Sequence, residues 1–195
     1  MLKLYFVRHG ETMSNVWGYI QGWSDTPLTD KGIVQGKAVG EMLKDTNFLA
    51  LYTSTSERAY DTASLINVNH HLPIQMYKGL KEMNFGSMEA HPEHIVGGTP
   101  AHRMNYDWTI FGGENIDILT QRMSRTLKEL VENHKGETGN ILCVSHSIAI
   151  LAALRSINQS LYDNRMAEGE YIDNCSVTTI LWDGVSFTIE RINQK

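Results

Sequence analysis

Leu4-Tyr5-Phe6-Val7-Arg8-His9-Gly10-Glu11-Thr12-Met13-Ser14-Asn15 decides how this chain is read. Its first four residues are a short apolar run, the pattern of a buried strand, and the run stops at an Arg-His-Gly triplet. In an open α/β sheet, chemistry gathers outside the carboxyl ends of the strands. Gly10 permits a sharp turn and a close approach of a bound group to main-chain N–H groups. Arg8 offers a planar fork of donors matched to phosphate or carboxylate oxygens. His9 can attack as a neutral imidazole or carry a proton near neutral pH. Asn15 adds an uncharged donor at the end of the same loop. A solvated arginine beside a packed histidine would give the same triplet, so the weight falls on the residues that accompany it.

The chain of 195 residues can bury one sizeable α/β core, and a single domain over 1–195 is expected. A hydrophobic content of 42% and a charged content of 20% are those of an ordinary soluble globule. The formal net charge is -5 and the Lys and Arg residues are scattered, which argues against nucleic acid or an anionic membrane as partner. Cys143 and Cys175, the two cysteines, each lie in an apolar segment and read as inert buried thiols of a reduced, cytoplasmic chain. No apolar leader and no run long enough to span a bilayer is visible.

Beyond the first loop, Gln21 to Pro27 is polar and turn-rich. Thr29 is placed to cap a helix in which Ile33, Gly36, Gly40 and Leu43 share a face, the two glycines implying close packing against the sheet. Leu49 to Thr53 reads as a second strand. Ser54-Thr55-Ser56-Glu57 has capping-box spacing and predicts a helix from about Ser54, with Ala59, Ala63 and Ile66 inward. Arg58 then stands in a first turn, the wrong end of a helix for a cation, which points to an anionic partner there. Pro73 to Tyr77 reads as a short edge strand, and Glu82 and Glu89 follow in a loop bounded by apolar residues.

The stretch from about 84 to 114 is irregular and, with His91, His94, His102, Arg103, Tyr106 and Trp108, reads as a substrate-side lid. His91-Pro92-Glu93-His94 raises a metal site, but Pro92 opposes a helix that would bring both rings to one face, and no metal is assigned. Ile116, Leu119, Met123, Leu127 and Leu130 keep a helical period. Ile141 to Val144 is a continuous apolar run, hence a central strand, and it ends at Ser145-His146-Ser147 before the apolar helix Ile148 to Leu154. His146 thus repeats the arrangement of His9 at a second strand end. Asp183-Gly184 joins two closing strands, Val177 to Trp182 and Val185 to Ile192, as a hairpin.

Taken together, this ordered set resembles the histidine phosphatase superfamily, with its phosphoglycerate-mutase-like fold. The resemblance rests on Arg8 to Thr12 with Asn15, Gln21-Gly22, Pro27-Leu28-Thr29 with Gly32, and Arg58-Ala59 with Thr62-Ala63. It continues through Glu82, Gly86 and Glu89, then Gly112-Gly113-Glu114, Ser145-His146 and Asn174-Cys175-Ser176. It covers nearly the whole chain. The fold implied is a three-layer α/β sandwich with a central, mostly parallel sheet flanked by helices.

The same resemblance implies that His9 becomes phosphohistidine and that Arg8, Arg58 and His146 form the phosphate pocket. Asn15, Gln21, Gly22 and Ser147 would line it, Ser147 replacing the family's usual glycine. Glu82 matches the proton donor, and Glu89 takes a supporting role. Charge in phosphoryl transfer spreads over three equatorial oxygens, so two arginines and a protonated His146 would supply the stabilisation and no metal or cofactor is needed.

The reading that follows is a phosphomonoester hydrolase of histidine acid-type, acting on a small phosphorylated metabolite. Its length, shorter than that of the true mutases, places phosphoglycerate mutase second. A non-catalytic module binding a phospho-ligand or inorganic phosphate is the alternative of another class.

Overall fold

The computed structural model of the protein describes residues 1–97 and 100–195. Six strands form one sheet in the order β3-β2-β4-β1-β5-β6. They are β1 (Leu2–Arg8), β2 (Phe48–Thr53), β3 (Ile74–Met76), β4 (Gly139–Ser145), β5 (Val177–Trp182) and β6 (Phe187–Gln194). The pairings β3/β2, β2/β4 and β4/β1 are parallel, whereas β1/β5 and β5/β6 are antiparallel. The sheet is therefore mixed, with its parallel part on the side that carries His9 and His146.

Alternation along the central strands sorts side chains into two layers, because successive residues of a strand point to opposite faces. Leu4, Phe6, Ile141 and Cys143 join one core with the helices α5 (Ile116–Glu132), α6 (Ser147–Ile157) and α7 (Gln159–Glu168). Val7, Leu51, Leu142 and Val144 join the other with α2 (Asp30–Leu43) and α3 (Glu57–Asn67). With both faces covered, β1 and β4 must read as continuous apolar runs. α5 buries Ile116, Leu119, Met123, Leu127 and Leu130, as its period predicts, at about 1.5–3 kcal/mol for each large side chain. Asn115 caps it by accepting the Ile118 N–H.

Four local expectations change. Gly36 and Gly40 face α3, not the sheet: an added Cβ would lie 2.7 Å from Leu65 Cδ1 and 3.2 Å from Ile66 Cα respectively. The third helix begins at Glu57, three residues later than the Ser54 box predicts, and Ser56 makes no side-chain cap. Ser54 Oγ is engaged by His146 instead, and the Glu57 N–H is received by Asp25 from a distant loop. β4 starts at Gly139, two residues ahead of the apolar run from Ile141 that marks it in the sequence. Two further helices precede or follow the predicted ones, α1 (Met13–Trp17) and α7, with α4 (Pro100–Met104) in the irregular stretch. The closing hairpin stands, its loop held by Asp183 Oδ1 accepting from Val185 and Ser186.

Both cysteines are buried. Burial pushes the Cys143 thiol up, and it carries Cys175 to about 12 although Arg8 pulls the other way. Among the described residues no helix is long and apolar enough to cross a membrane.

Candidate active site

β1 and β4 run parallel with Arg8 opposite Ser145, so His9 and His146 emerge at the same edge. The His9 N–H bonds Ser145 O at 3.0 Å, and the two imidazole rings stand 5.2 Å apart, edge to face. On the other side the chain before β5 braces the same turn. Asn174 Nδ2 donates to His9 O at 2.9 Å and the Cys175 N–H to Arg8 O at 3.0 Å.

Gly10 has an ordinary φ, so a turn available only to glycine is not what it provides. Close packing accounts for it: a Cβ there would meet the Gly32 carbonyl of α2 at 2.5 Å. Its N–H is bonded to Thr62 Oγ1, whose hydroxyl donates to Arg58 O, and so is not offered to a ligand.

His9 Nδ1 lies 2.8 Å from Gly10 O. A carbonyl only accepts, which places the ring proton on Nδ1 and leaves Nε2 with its lone pair. Burial, with the charges of Arg58 and Arg8, holds the imidazole well below its usual range, in the neutral form. Arg8 donates through Nη1 to Ile172 O at 2.6 Å, while its Nε is buried with no hydrogen-bond partner.

A cavity of about 300 Å³ opens over these groups. Arg8, His9, Asn15, Gln21, Glu82 and Ser147 all line it, together from six positions spread along the chain. Arg58, His146 and Gly22 stand behind its wall. Arg58 is fully buried and its Nη1 and Nη2 donate to Ser24 O, Asp25 Oδ1, Gly22 O and His146 Nδ1, each at 2.9 Å. Its Nε, like that of Arg8, has no partner.

His146 differs from the protonated cation expected. Because Arg58 donates to Nδ1, that nitrogen carries no proton, and Nε2 bonds Ser54 Oγ at 2.7 Å. Burial and then the Arg58 charge keep the ring well below the ordinary imidazole value. Of the three groups expected as cations around the phosphate, His146 is therefore neutral, and Arg8 and Arg58 carry the charge. The Gly22 N–H is likewise taken, by Glu89 Oε2 at 3.0 Å.

Glu82 sits at the N-terminus of α6. Its Oε1 accepts from the Met83 and Ala149 N–H groups, each at 2.9 Å, and its Oε2 from Ile148 at 3.1 Å. Such donors favour the ionised carboxylate, yet complete burial outweighs them and raises the group above its usual value. Glu89 lies outside the cavity. Its oxygens accept from Gly22, Trp23, Ser24 and Phe85 N–H and from Ser24 Oγ, tying the 22–24 loop to the segment that follows Glu82.

From the irregular segment, Glu93, Arg103, Met104 and Trp108 reach the cavity, with Arg103 and Glu93 paired at 3.2 Å. Tyr106 packs against Trp108 instead, ring centroids 4.9 Å apart, and His91, His94 and His102 do not line the opening. Gly98 and Thr99 of this segment lie outside the described residues. Among the described residues no three His, Cys, Asp or Glu side chains are grouped to hold a metal ion. Tyr19, Ile20 and Tyr171 also line the cavity and went unnoticed in the sequence, because isolated apolar residues in loops carry no period.

The model for the histidine phosphatase superfamily (branch 1) matches residues 4–195. An adenosylcobalamin/alpha-ribazole phosphatase from Salmonella typhimurium is 33% identical over 188 residues, covering 89% of this chain and 91% of that protein. Among solved structures, a phosphoserine phosphatase from Entamoeba histolytica in complex with 3-phosphoglyceric acid superposes with a TM-score of 0.82 at 27% identity. That superposition covers 100% of this chain and 98% of the other. A phosphoglycerate mutase from Bacillus anthracis gives 0.84 at 26% identity, over 99% and 93%.

Proposed function

The chain belongs to branch 1 of the histidine phosphatase superfamily, and from that premise we propose that it hydrolyses phosphate monoesters of small metabolites through a phosphohistidine at His9. The observation that carries this reading is the Gly10 carbonyl on His9 Nδ1, which leaves Nε2 an unprotonated nucleophile beside Arg8 in a cavity. Arg8 holds the equatorial oxygens, and its unpartnered Nε is a donor in want of an acceptor. Asn15, Gln21 and the N–H of Ser147 at the start of α6 supply neutral donors around the same group. Arg58 and His146 act from behind, fixing the back wall, while burial and then the Arg58 charge keep the His9 ring neutral.

As Nε2 attacks phosphorus, the P–O ester bond breaks and the leaving oxygen takes the proton of Glu82. A water molecule then attacks the phosphohistidine, gives its proton to the Glu82 carboxylate, and phosphate leaves with His9 restored. Glu82 must begin protonated, so the reaction is of acid type, and burial shifts the group in the direction that proton donation requires. No step requires a metal. The relatives named above act on alpha-ribazole phosphate or phosphoserine, and a polar alcohol of that size suits a cavity rimmed by the Glu93–Arg103 pair.

Phosphate release from p-nitrophenyl phosphate in EDTA, compared with His9→Ala, tests this. Release by wild type and none by the variant is the expected result. Loss of wild-type activity to EDTA overturns the metal-independent mechanism, and two inert proteins point to a binding module. Product formed only with a bisphosphorylated primer would instead identify a mutase.

A further inference from the structure

Glu82 has no regular element beneath it. The backbone from Lys81 to Phe85 belongs to neither helix nor strand, so something other than a ladder of backbone bonds must fix the main chain from which the carboxyl reaches the Ile148 and Ala149 N–H groups. Arg122, about two turns into α5 and outside the cavity lining, spends all five of its N–H groups on that segment and the residues that flank it in space. Nη1 donates to Gly79 O at 2.9 Å and Lys81 O at 2.8 Å, and Nη2 to Glu82 O at 2.9 Å. Nε and the second Nη2 hydrogen go to the two oxygens of Glu114, at 2.9 and 2.8 Å.

Glu114 completes the clamp. Its Oε2 also receives the Asn84 N–H at 2.9 Å, and its own N–H donates to Asn84 O at 2.8 Å. The carbonyls of Lys81 and Glu82, on either side of the Glu82 Cα, and the backbone N–H and C=O of Asn84 are thereby fixed to one largely buried ion pair. A five-donor planar fork can span three carbonyls and a carboxylate at once, which a lysine ammonium with three donors cannot.

We propose that Arg122, held by Glu114, is the positioning residue for Glu82, setting the carboxyl at the distance from the leaving oxygen that proton donation requires. This rests on the assignment of Glu82 as the acid. Displacement of an acid by a fraction of an ångström weakens protonation of a poor leaving group far more than expulsion of a good one. The reading therefore concerns the leaving group, not overall activity.

The experiment compares p-nitrophenyl phosphate with phenyl phosphate, matched in shape, whose phenol has a pKa of about 10 like that of tyrosine. In Arg122→Lys the ratio of kcat/KM for nitrophenyl over phenyl ester, which reports the step that expels the alcohol, should rise at least about tenfold above that of wild type. The basic limb of the phenyl ester's pH profile should move as well. A proportional fall for both esters, or an unchanged ratio, overturns the proposal. Should Arg122→Lys not fold, Glu114→Gln, which keeps the guanidinium and its three carbonyls, should raise the ratio about threefold. No rise in that folded variant overturns it too. Wild type inert on both esters would instead sink the hydrolase reading.

Discussion

Replacing Glu89 by alanine removes the acceptor of five hydrogen bonds without touching the cavity. One of the five, from the Trp23 N–H, is exposed and water can replace it; the other four are partly buried. At about 1 kcal/mol for each of those four, the loss is about 4 kcal/mol. For a chain of this size that lowers Tm by about 8–16 °C. The consequence reaches further, because the loop that Glu89 gathers supplies Gly22 O, Ser24 O and Asp25 Oδ1 to the Arg58 guanidinium. With the loop loosened, Arg58 and the His146 ring it orients shift, and a displacement of about 1 Å near the reacting centre lowers turnover about 10²-fold. Glu89→Gln, keeping one acceptor oxygen, should fall between. Thermal unfolding followed by circular dichroism, with phosphate release measured well below Tm, reads both effects. A Glu89→Ala protein melting within about 2 °C of wild type at full activity would refute the clamp.

Arg8→Ala should lower kcat about 10³-fold, or about 4 kcal/mol of transition-state stabilisation, and a fall below about threefold would remove Arg8 from the chemistry. Stability should depend on pH through the two buried imidazoles. His9 and His146 are depressed in the folded chain, so their contribution is intact above the unfolded value of about 6.5 and is lost as pH falls below it. Each adds up to about 1.4 kcal/mol per pH unit, while Glu82, raised when folded, opposes part of this below the same point. Urea unfolding between about pH 5 and 7 should show the slope, reduced by about one proton in His9→Asn; a flat profile would contradict neutral buried histidines.

Much of the arrangement was legible because its signals are local. β1 and β4 are apolar runs ended by a histidine, and Thr29 and α5 carry an ordinary cap and an ordinary period. What escaped depends on contacts remote in sequence. Ser54 looks like the start of a capping box, but its hydroxyl is claimed by His146, 92 positions away. Gly10 looks like a turn residue, but the constraint is Gly32 of another helix. The protonation of His146 follows from which atom of Arg58 faces it, and residue type alone carries no such information. Arg122 sits on an amphipathic helix among exposed charges and is indistinguishable there from a solvated face until the segment from Gly79 to Asn84 is seen lying across it.

The two thiols have a use of their own. Cys175 follows the residue that holds the His9 carbonyl and its N–H is bonded to Arg8, a neighbour that would ordinarily promote a reactive thiolate. Burial prevails, and Cys143 is sealed in the centre of the sheet. A nucleophile made of nitrogen, with both thiols buried and held protonated, gives thiol-directed reagents no ready target in the folded molecule. Any labelling of Cys143 must then pass through an opening of β4, and that of Cys175 through an opening beside Arg8. Their separate rates would time the breathing of the sheet and of the turn that holds His9, with no probe introduced.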